Sequence, residues 1–168
     1  MKSMDTRKAG WAGSIGVAVV ALDQLTKRIV QMGMELHDRI EILGDAIRLT
    51  YIRNPGAAFG IHAGPNSRWI FLGISIIALG ILAALYRVTP ATDRLRLTSI
   101  ALIAGGAIGN IIDRLTSSAG VVDFVDVGLG DLRWPVFNVA DMAVTTGALV
   151  LALSLWREDR RLEVRAGE

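Results

Sequence analysis

The stretch Leu95-Arg-Leu-Thr-Ser-Ile-Ala-Leu-Ile-Ala-Gly-Gly-Ala-Ile-Gly-Asn-Ile-Ile112, followed at once by Asp113-Arg114, sets the solvent in which this chain has to fold. It approaches the roughly 20 apolar residues needed to cross a hydrocarbon layer about 30 Å thick. Gly105 and Gly109 form a small-xxx-small pair with Ala101 one step earlier on the same face, a pattern that lets helix backbones approach closely in a bilayer. Three other stretches have the same character, so spans are expected near 11–30, 69–86, 95–112 and 138–156. The expected fold is mainly α and integral to a membrane, a single domain over 1–168 with four transmembrane helices. Lys2, Arg7 and Lys8 before the first span imitate a signal peptide, but no A-x-A-like cleavage site follows and the helix runs on through Asp23 and Lys27. It reads as a retained span.

Composition agrees. Of 168 residues, 52% are hydrophobic, which points to lipid as solvent, and the length leaves room for a site built within one helical body. The net charge of +2 is small and its basic residues are grouped as in membrane proteins, so nucleic acid is not an expected partner. With no cysteine there are no disulfides, thiolate nucleophiles or cysteine-held metals. His37 and His62 lack any ligand spacing, so no metal site is expected.

Lys2, Arg7, Lys8, Arg87, Arg94, Arg96, Arg157, Arg160, Arg161 and Arg165 crowd the two tails and the short connection between spans two and three. The positive-inside rule then puts both termini in the cytoplasm. The two longer connections fall outside. In the first, Ile40-Glu-Ile-Leu43 and Ile47-Arg-Leu-Thr-Tyr-Ile-Arg53 partly alternate around a Gly44-Asp45 turn, which predicts a small extracytoplasmic β-sheet. In the second, Val121-Val-Asp-Phe-Val125 is a short extended piece and Gly128, Gly130, Asp131 and Pro135 are turn residues.

Threaded this way, Asp23, Gln24, Lys27, Asn110, Asp113, Arg114, Asn138 and Asp141 collect at one depth, toward the outer face. Ionisable groups in a span are costly and usually face the bundle interior or a watery cavity. Asp23 and Lys27 stand four apart with the acid first, the favourable order for a helical ion pair, and either neutralise each other or take a direct chemical part. Asn138 and Asp141 resemble a capping box. Capping does not account for a second acid, Asp123, in an apolar Val-Val-Asp-Phe setting on the same side, although Asp126 offers a rival partner. Two carboxylates sharing a proton can hydrolyse a peptide without metal or cofactor, one taking a proton from water and the other supplying one. Asp141 at the positive end of span four is then the better anion, leaving Asp123 to hold the proton. Serine protease chemistry lacks its parts: no serine lies near Lys27 in sequence, and Gly13-Ser-Ile-Gly16 is not GxSxG.

Taken in order, Asp23-Gln-Leu-Thr-Lys27, Asn54-Pro-Gly-Ala-Ala-Phe-Gly60, Gly105-Gly-Ala-Ile-Gly-Asn-Ile-Ile-Asp-Arg114, Val121-Val-Asp-Phe124 and Phe137-Asn-Val-Ala-Asp141 resemble the bacterial lipoprotein signal peptidase (signal peptidase II) family. The resemblance covers nearly the whole chain, with Pro55 where other members often have threonine. It implies an aspartic endopeptidase of the bacterial cytoplasmic (inner) membrane that cleaves diacylglyceryl-modified prolipoproteins just before the lipidated cysteine. On it, Asp123 and Asp141 become the catalytic pair, Asn54, Asn110, Arg114 and Asn138 line or organise the substrate site, and Asp23, Lys27, Gly56 and Gly106 support it. It also implies a short outer helix or loop over the site, membrane lipids and globomycin-type inhibitors as partners, and no cofactor. A monomer is expected. A small transporter, the alternative from another class, would want inverted repeats and an acid near the bilayer midplane. A non-enzymatic scaffold would have no need of the Asn-Pro-Gly and Gly-Asn-x-x-Asp-Arg clusters.

The topology is open to a direct check: a reporter fused after Glu168 that works only outside the cytoplasm is expected to stay silent, and a signal from it would invert the arrangement.

Overall fold

The computed structural model describes residues 2–56 and 64–166. Four long helices dominate: α1 (Lys2–Gly33), α2 (Ser67–Val88), α3 (Arg94–Thr116) and α4 (Val139–Ala166). They run up and down, so that the start of α1, the α2–α3 turn and the end of α4 share one end of the bundle. Lys8 there donates to the carbonyl of Tyr86, Trp11 Nε1 to Thr98 Oγ1, and Arg96 pairs with Glu158. Three helices among the described residues, spanning Gly64–Val88, Arg94–Thr116 and Val139–Glu158, are long and apolar enough to cross a membrane. α1, α2 and α3 overrun the expected spans at both ends, and α4 at its C-terminal end. α1 is long enough, at ~48 Å for its length, but Asp23, Gln24, Lys27 and Arg28 dilute its apolar character. It joins the bundle through its packing.

α3 sits at the centre and packs against the other three helices. Its glycines make that possible. A Cβ on Gly105 would run into Val19 and the Gly16 carbonyl of α1, and one on Gly109 would strike Asp23, so the GxxxG face meets α1. Gly106, on the neighbouring face, lies against the Ala140 backbone and the Val144 side chain of α4. Outside this seam the helices present Ile70, Ile74, Ile77 and Ile81 of α2 and Leu149 and Leu153 of α4 to the surroundings, an exterior suited to hydrocarbon.

The other end carries a four-stranded antiparallel sheet in the order β1 (Arg39–Leu43), β2 (Ile47–Asn54), β3 (Val121–Leu129) and β4 (Leu132–Arg133). The expected hairpin is present, with Gly44 at φ +50 in its turn. β3 extends beyond the expected Val121–Val125, and Gly128 is not a turn residue: it pairs with Arg133, whose backbone comes too close for any side chain. The turn is made at Gly130-Asp131 instead. Val30, Tyr51, Val122 and Phe124 form an apolar cluster that seats the sheet on the end of α1. A three-residue 3-10 turn, Gly64–Asn66, leads into α2. The expected outer helix or loop before it, with residues 57–60 of the Asn-Pro-Gly segment, lies outside the described residues.

Asp23 and Lys27 are both buried and paired at 2.8 Å, as their spacing predicts. The ammonium also reaches Asp113 of α3 at 3.0 Å and donates to Asn110 Oδ1 at 3.0 Å. Gln24 joins both carboxylates from the side. Removing one member of a buried ion cluster strands the rest, so Lys27→Met is expected to cost about 3 to 5 kcal/mol, read as lost resistance to unfolding in detergent. Replacing Asp23 and Lys27 together by apolar residues should recover only part of this, because Asp113 then lacks its cation. Full recovery from the pair alone would show that Asp113 is not part of the cluster's energetics.

Candidate active site

α4 begins with its N-cap, Asn138, fully buried. Its Oδ1 accepts from the Asp141 N–H at 2.9 Å, and Asp141 Oδ2 accepts from the Asn138 N–H at 3.3 Å, the reciprocal capping that the Asn-Val-Ala-Asp spacing suggests. Capping uses only the oxygen of the Asn138 amide. The Nδ2 side donates to Asp123 Oδ1 at 2.6 Å and also lies 3.2 Å from Asn110 Oδ1 and 3.3 Å from the Val122 carbonyl. One asparagine thus binds both Asp141 and Asp123.

Two more amides complete the cradle. Asn54, at the end of β2 beside β3, donates to Asp123 Oδ2 at 2.9 Å, and Asn110 of α3 donates to Asp141 Oδ1 at 2.9 Å. Lys27 fixes which way Asn110 points: an ammonium only donates, so it must face the amide oxygen and leave the NH2 for Asp141. Asp113 braces the same region, accepting from the Val122 N–H at 3.1 Å, one residue before Asp123.

Arg114 is buried, yet donates to carbonyls rather than to either acid: Gly56 at 3.1 Å and Asn110 at 3.4 Å. Its Nε, also buried, has no partner among the described residues. Gly56 in turn donates its N–H to Asn54 Oδ1 at 3.0 Å, so Arg114, Gly56 and Asn54 hold one another in line. Gly106 lies a turn deeper and acts through the close α3–α4 contact. Of the expected residues, Asp123, Asp141, Asn54, Asn110 and Asn138 thus form one hydrogen-bonded group, with Arg114, Gly56, Asp23 and Lys27 around it. Sequence reasoning left Gln24 and Asp113 without a role. Asn110, Asp113 and Arg114 share a helical face by their spacing, but a polar helix end reads equally well as an interfacial anchor.

Asp126, the rival acid, is engaged elsewhere. It lies an odd number of strand positions from Asp123, which turns it to the other face of the sheet, where Thr50 donates at 2.7 Å, Arg133 at 2.6 Å, and Arg48 lies at 3.5 Å. Burial alone would raise its pKa, but the Arg133 and Thr50 hydrogen bonds and the charges of Arg133 and Arg48 outweigh it and hold Asp126 below the usual carboxylate range. The Asp123 carboxyl is pushed up to about 7, chiefly by burial and next by the charge of Asp141, against the opposing pull of Asn54, Asn138 and Lys27. One acid of the group thus carries its proton near neutrality.

Asp141 also lines a mainly apolar cavity of about 370 Å³, together with Trp134, Pro135, Phe137, Met142 and Thr145. Among the described residues, no group of three acidic or imidazole side chains is placed to hold a metal ion.

Residues 15–157 match the family described as Signal peptidase (SPase) II. The chain is 40% identical over 141 residues to the lipoprotein signal peptidase of Moorella thermoacetica, covering 84% of this chain and 89% of that protein. It is also 40% identical over 152 residues to the one from Brevibacillus brevis, covering 90% and 98%. A solved bacterial membrane enzyme superposes with a TM-score of 0.80 at 33% identity, over 89% of this chain and 90% of that one. With matches across most of its length in both sequence and fold, this chain belongs to the signal peptidase II family, whose members are aspartic peptidases that remove signal peptides from lipoproteins.

Proposed function

We propose that Asp123 and Asp141 are the catalytic pair, and that the enzyme cleaves diacylglyceryl-modified prolipoproteins just before the lipidated cysteine. The observation that carries this reading is Asn138, whose side-chain amide donates to the Asp123 carboxylate while its backbone N–H donates to the Asp141 carboxylate, with Asp141 facing an apolar cavity. In the proposed reaction Asp141 takes a proton from water as the water oxygen attacks the scissile carbonyl. Asp123, which carries its proton near neutrality, passes it to the carbonyl oxygen. Collapse of the resulting diol breaks the C–N bond as Asp141 gives the proton it took from water to the leaving nitrogen and Asp123 takes one back from a diol hydroxyl. Asn54, Asn110 and Asn138 position the acids, and Arg114 holds the backbone at Gly56 beside the substrate path. No cofactor enters this scheme.

In this reading both termini lie in the cytoplasm and the pair stands at the outer face of the inner membrane, the enzyme acting as a monomer on substrates that arrive through the surrounding lipid. An acid pair at that depth, with Asp141 on the apolar cavity, meets both a membrane-anchored substrate and water. Globomycin-type inhibitors would compete for the same cleft.

Asp123→Asn and Asp141→Asn are each expected to abolish cleavage of a lipidated prolipoprotein in a gel-shift assay while the protein still inserts. Asp126→Asn should retain substantial activity. An essential Asp126 with a dispensable Asp123 would mean that the pair is misassigned.

The pH profile supplies a second test. Activity that needs the Asp123 proton should fall about tenfold per pH unit above about 7. Asn54 stabilises the charged form of Asp123, so Asn54→Leu removes a downward influence and should move this alkaline limb to higher pH. The same change should cost roughly ten- to a hundredfold in rate through lost positioning. A limb that stays in place in Asn54→Leu would remove Asp123 as the titrating group.

A further inference from the structure

At the end of the bundle opposite Asp123 lies a second cleft, of about 790 Å³. It is separated from Asn110 by roughly 24 Å along α3. Arg7, Lys8, Trp11 and Ser14 of α1, Thr92 of the α2–α3 turn and Arg94 of α3 line it, and among the described residues no carboxylate does. Among the described residues, the acids nearby are already engaged: Asp93 caps α3 through the Arg96 N–H and pairs with Arg96, and Glu158 pairs with Arg96 as well.

The walls are fixed. Lys8 donates to the Tyr86 carbonyl at 2.6 Å and the Thr89 carbonyl at 2.7 Å, and its ammonium lies 4.3 Å from the Tyr86 ring centre. The Arg94 guanidinium stacks 4.9 Å from the centre of the Trp11 ring, and Trp11 is itself pinned by its bond to Thr98 at 3.1 Å. Stacking orients a guanidinium without using its N–H groups, and neither Arg7 nor Arg94 has an acidic partner among the described residues. A fork of donors in this state suits a phosphate. The cleft does not open on water alone. One turn deeper along α1, Val17 is 69% exposed, and Leu95 beside Arg94 is exposed as well, so apolar surface continues from the cationic rim.

We infer that this cleft binds the phosphate headgroup of an anionic phospholipid, with its acyl chains along the apolar surface beside Val17 and Leu95. A soluble anion would satisfy the charges but leave that surface unused, whereas a basic pocket between helices at a membrane surface serves both parts of a lipid. The site lies on the side that the distribution of Lys and Arg assigns to the cytoplasm. A signal peptide begins with a basic segment, so a lipid held here would also neutralise the rim that such a segment has to pass. The inference does not depend on the roles of Asp123 and Asp141.

Native mass spectrometry of the full chain in detergent tests it, using phosphatidylglycerol and phosphatidylcholine with matched acyl chains and, separately, inorganic phosphate. Wild type should retain one phosphatidylglycerol at least tenfold better than phosphatidylcholine. Arg7→Gln with Arg94→Gln should weaken that retention about 25-fold, at about fivefold per charge. Thr92→Glu, at an exposed turn position, places a negative charge in the cleft and should weaken it in the same direction without touching either arginine. Equal retention of the two lipids, or phosphatidylglycerol retained undiminished by Thr92→Glu, would overturn the proposal. Inorganic phosphate binding as tightly as the lipid would do so as well, by showing that the acyl chains contribute nothing.

Discussion

A helix that starts inside a protein has to find acceptors for its first N–H groups, because no preceding turn supplies them. At the start of α4 that need is met by two side chains: Asn138 takes the Asp141 N–H, and Asp23 reaches across from α1 to take the Ala140 N–H at 2.9 Å. Much of the rest follows. A buried Asp23 calls for a cation, and Lys27 supplies it from one turn along the same helix. A buried ammonium has further donors to satisfy, and these go to Asp113 and Asn110 of α3. Asn110, fixed by Lys27, turns its amide nitrogen to Asp141. The ion cluster and the proposed catalytic group are thus one continuous network, in which each group is placed by the unmet bonding capacity of the one before.

The sheet supplies the other half. Antiparallel pairing sets Ile52 opposite Asp123 and Asn54 opposite Val121, after a register shift between Leu49 and Ile52. A bulge of this kind re-aims side chains, and here Asn54 comes within reach of Asp123. Arg114 carries the connection back into the bundle by binding Gly56, whose N–H holds the oxygen of Asn54. The two acids therefore stand on different supports. Asp141 belongs to the stiff α3–α4 seam where Gly106 admits no side chain, and Asp123 to a strand at the end of the bundle.

The sequence made local features legible. The helices announce themselves by long apolar runs, the first hairpin by alternation around Gly44, the Asp23–Lys27 pair by its i, i+4 spacing, and the Asn138–Asp141 cap by its three-residue offset. What stayed hidden were contacts between elements far apart in the chain, which leave no local period. Nothing beside Asp126 in the sequence points to Thr50, and nothing beside Asp113 points to Lys27. The dual use of Asn138 was hidden for another reason: a cap accounts for its oxygen and gives no cause to ask where its nitrogen goes. Gly128 was misread because glycine suits a close approach between strands as well as it suits a turn.

The polar character of α1 bears on how the molecule is made. This helix leaves the ribosome before the other three, carrying Lys27 into the bilayer with Asp23, one turn away, as its partner. Asp113 arrives with α3, and Asn138 and Asp141 arrive last, on α4. A nascent chain with three helices inserted has Asp123 but lacks both Asn138 and the second acid. On the proposed assignment of Asp123 and Asp141, a peptidase assembled in this order would stay inert until α4 arrives, and the helix that completes its polar network would be the one that arms it.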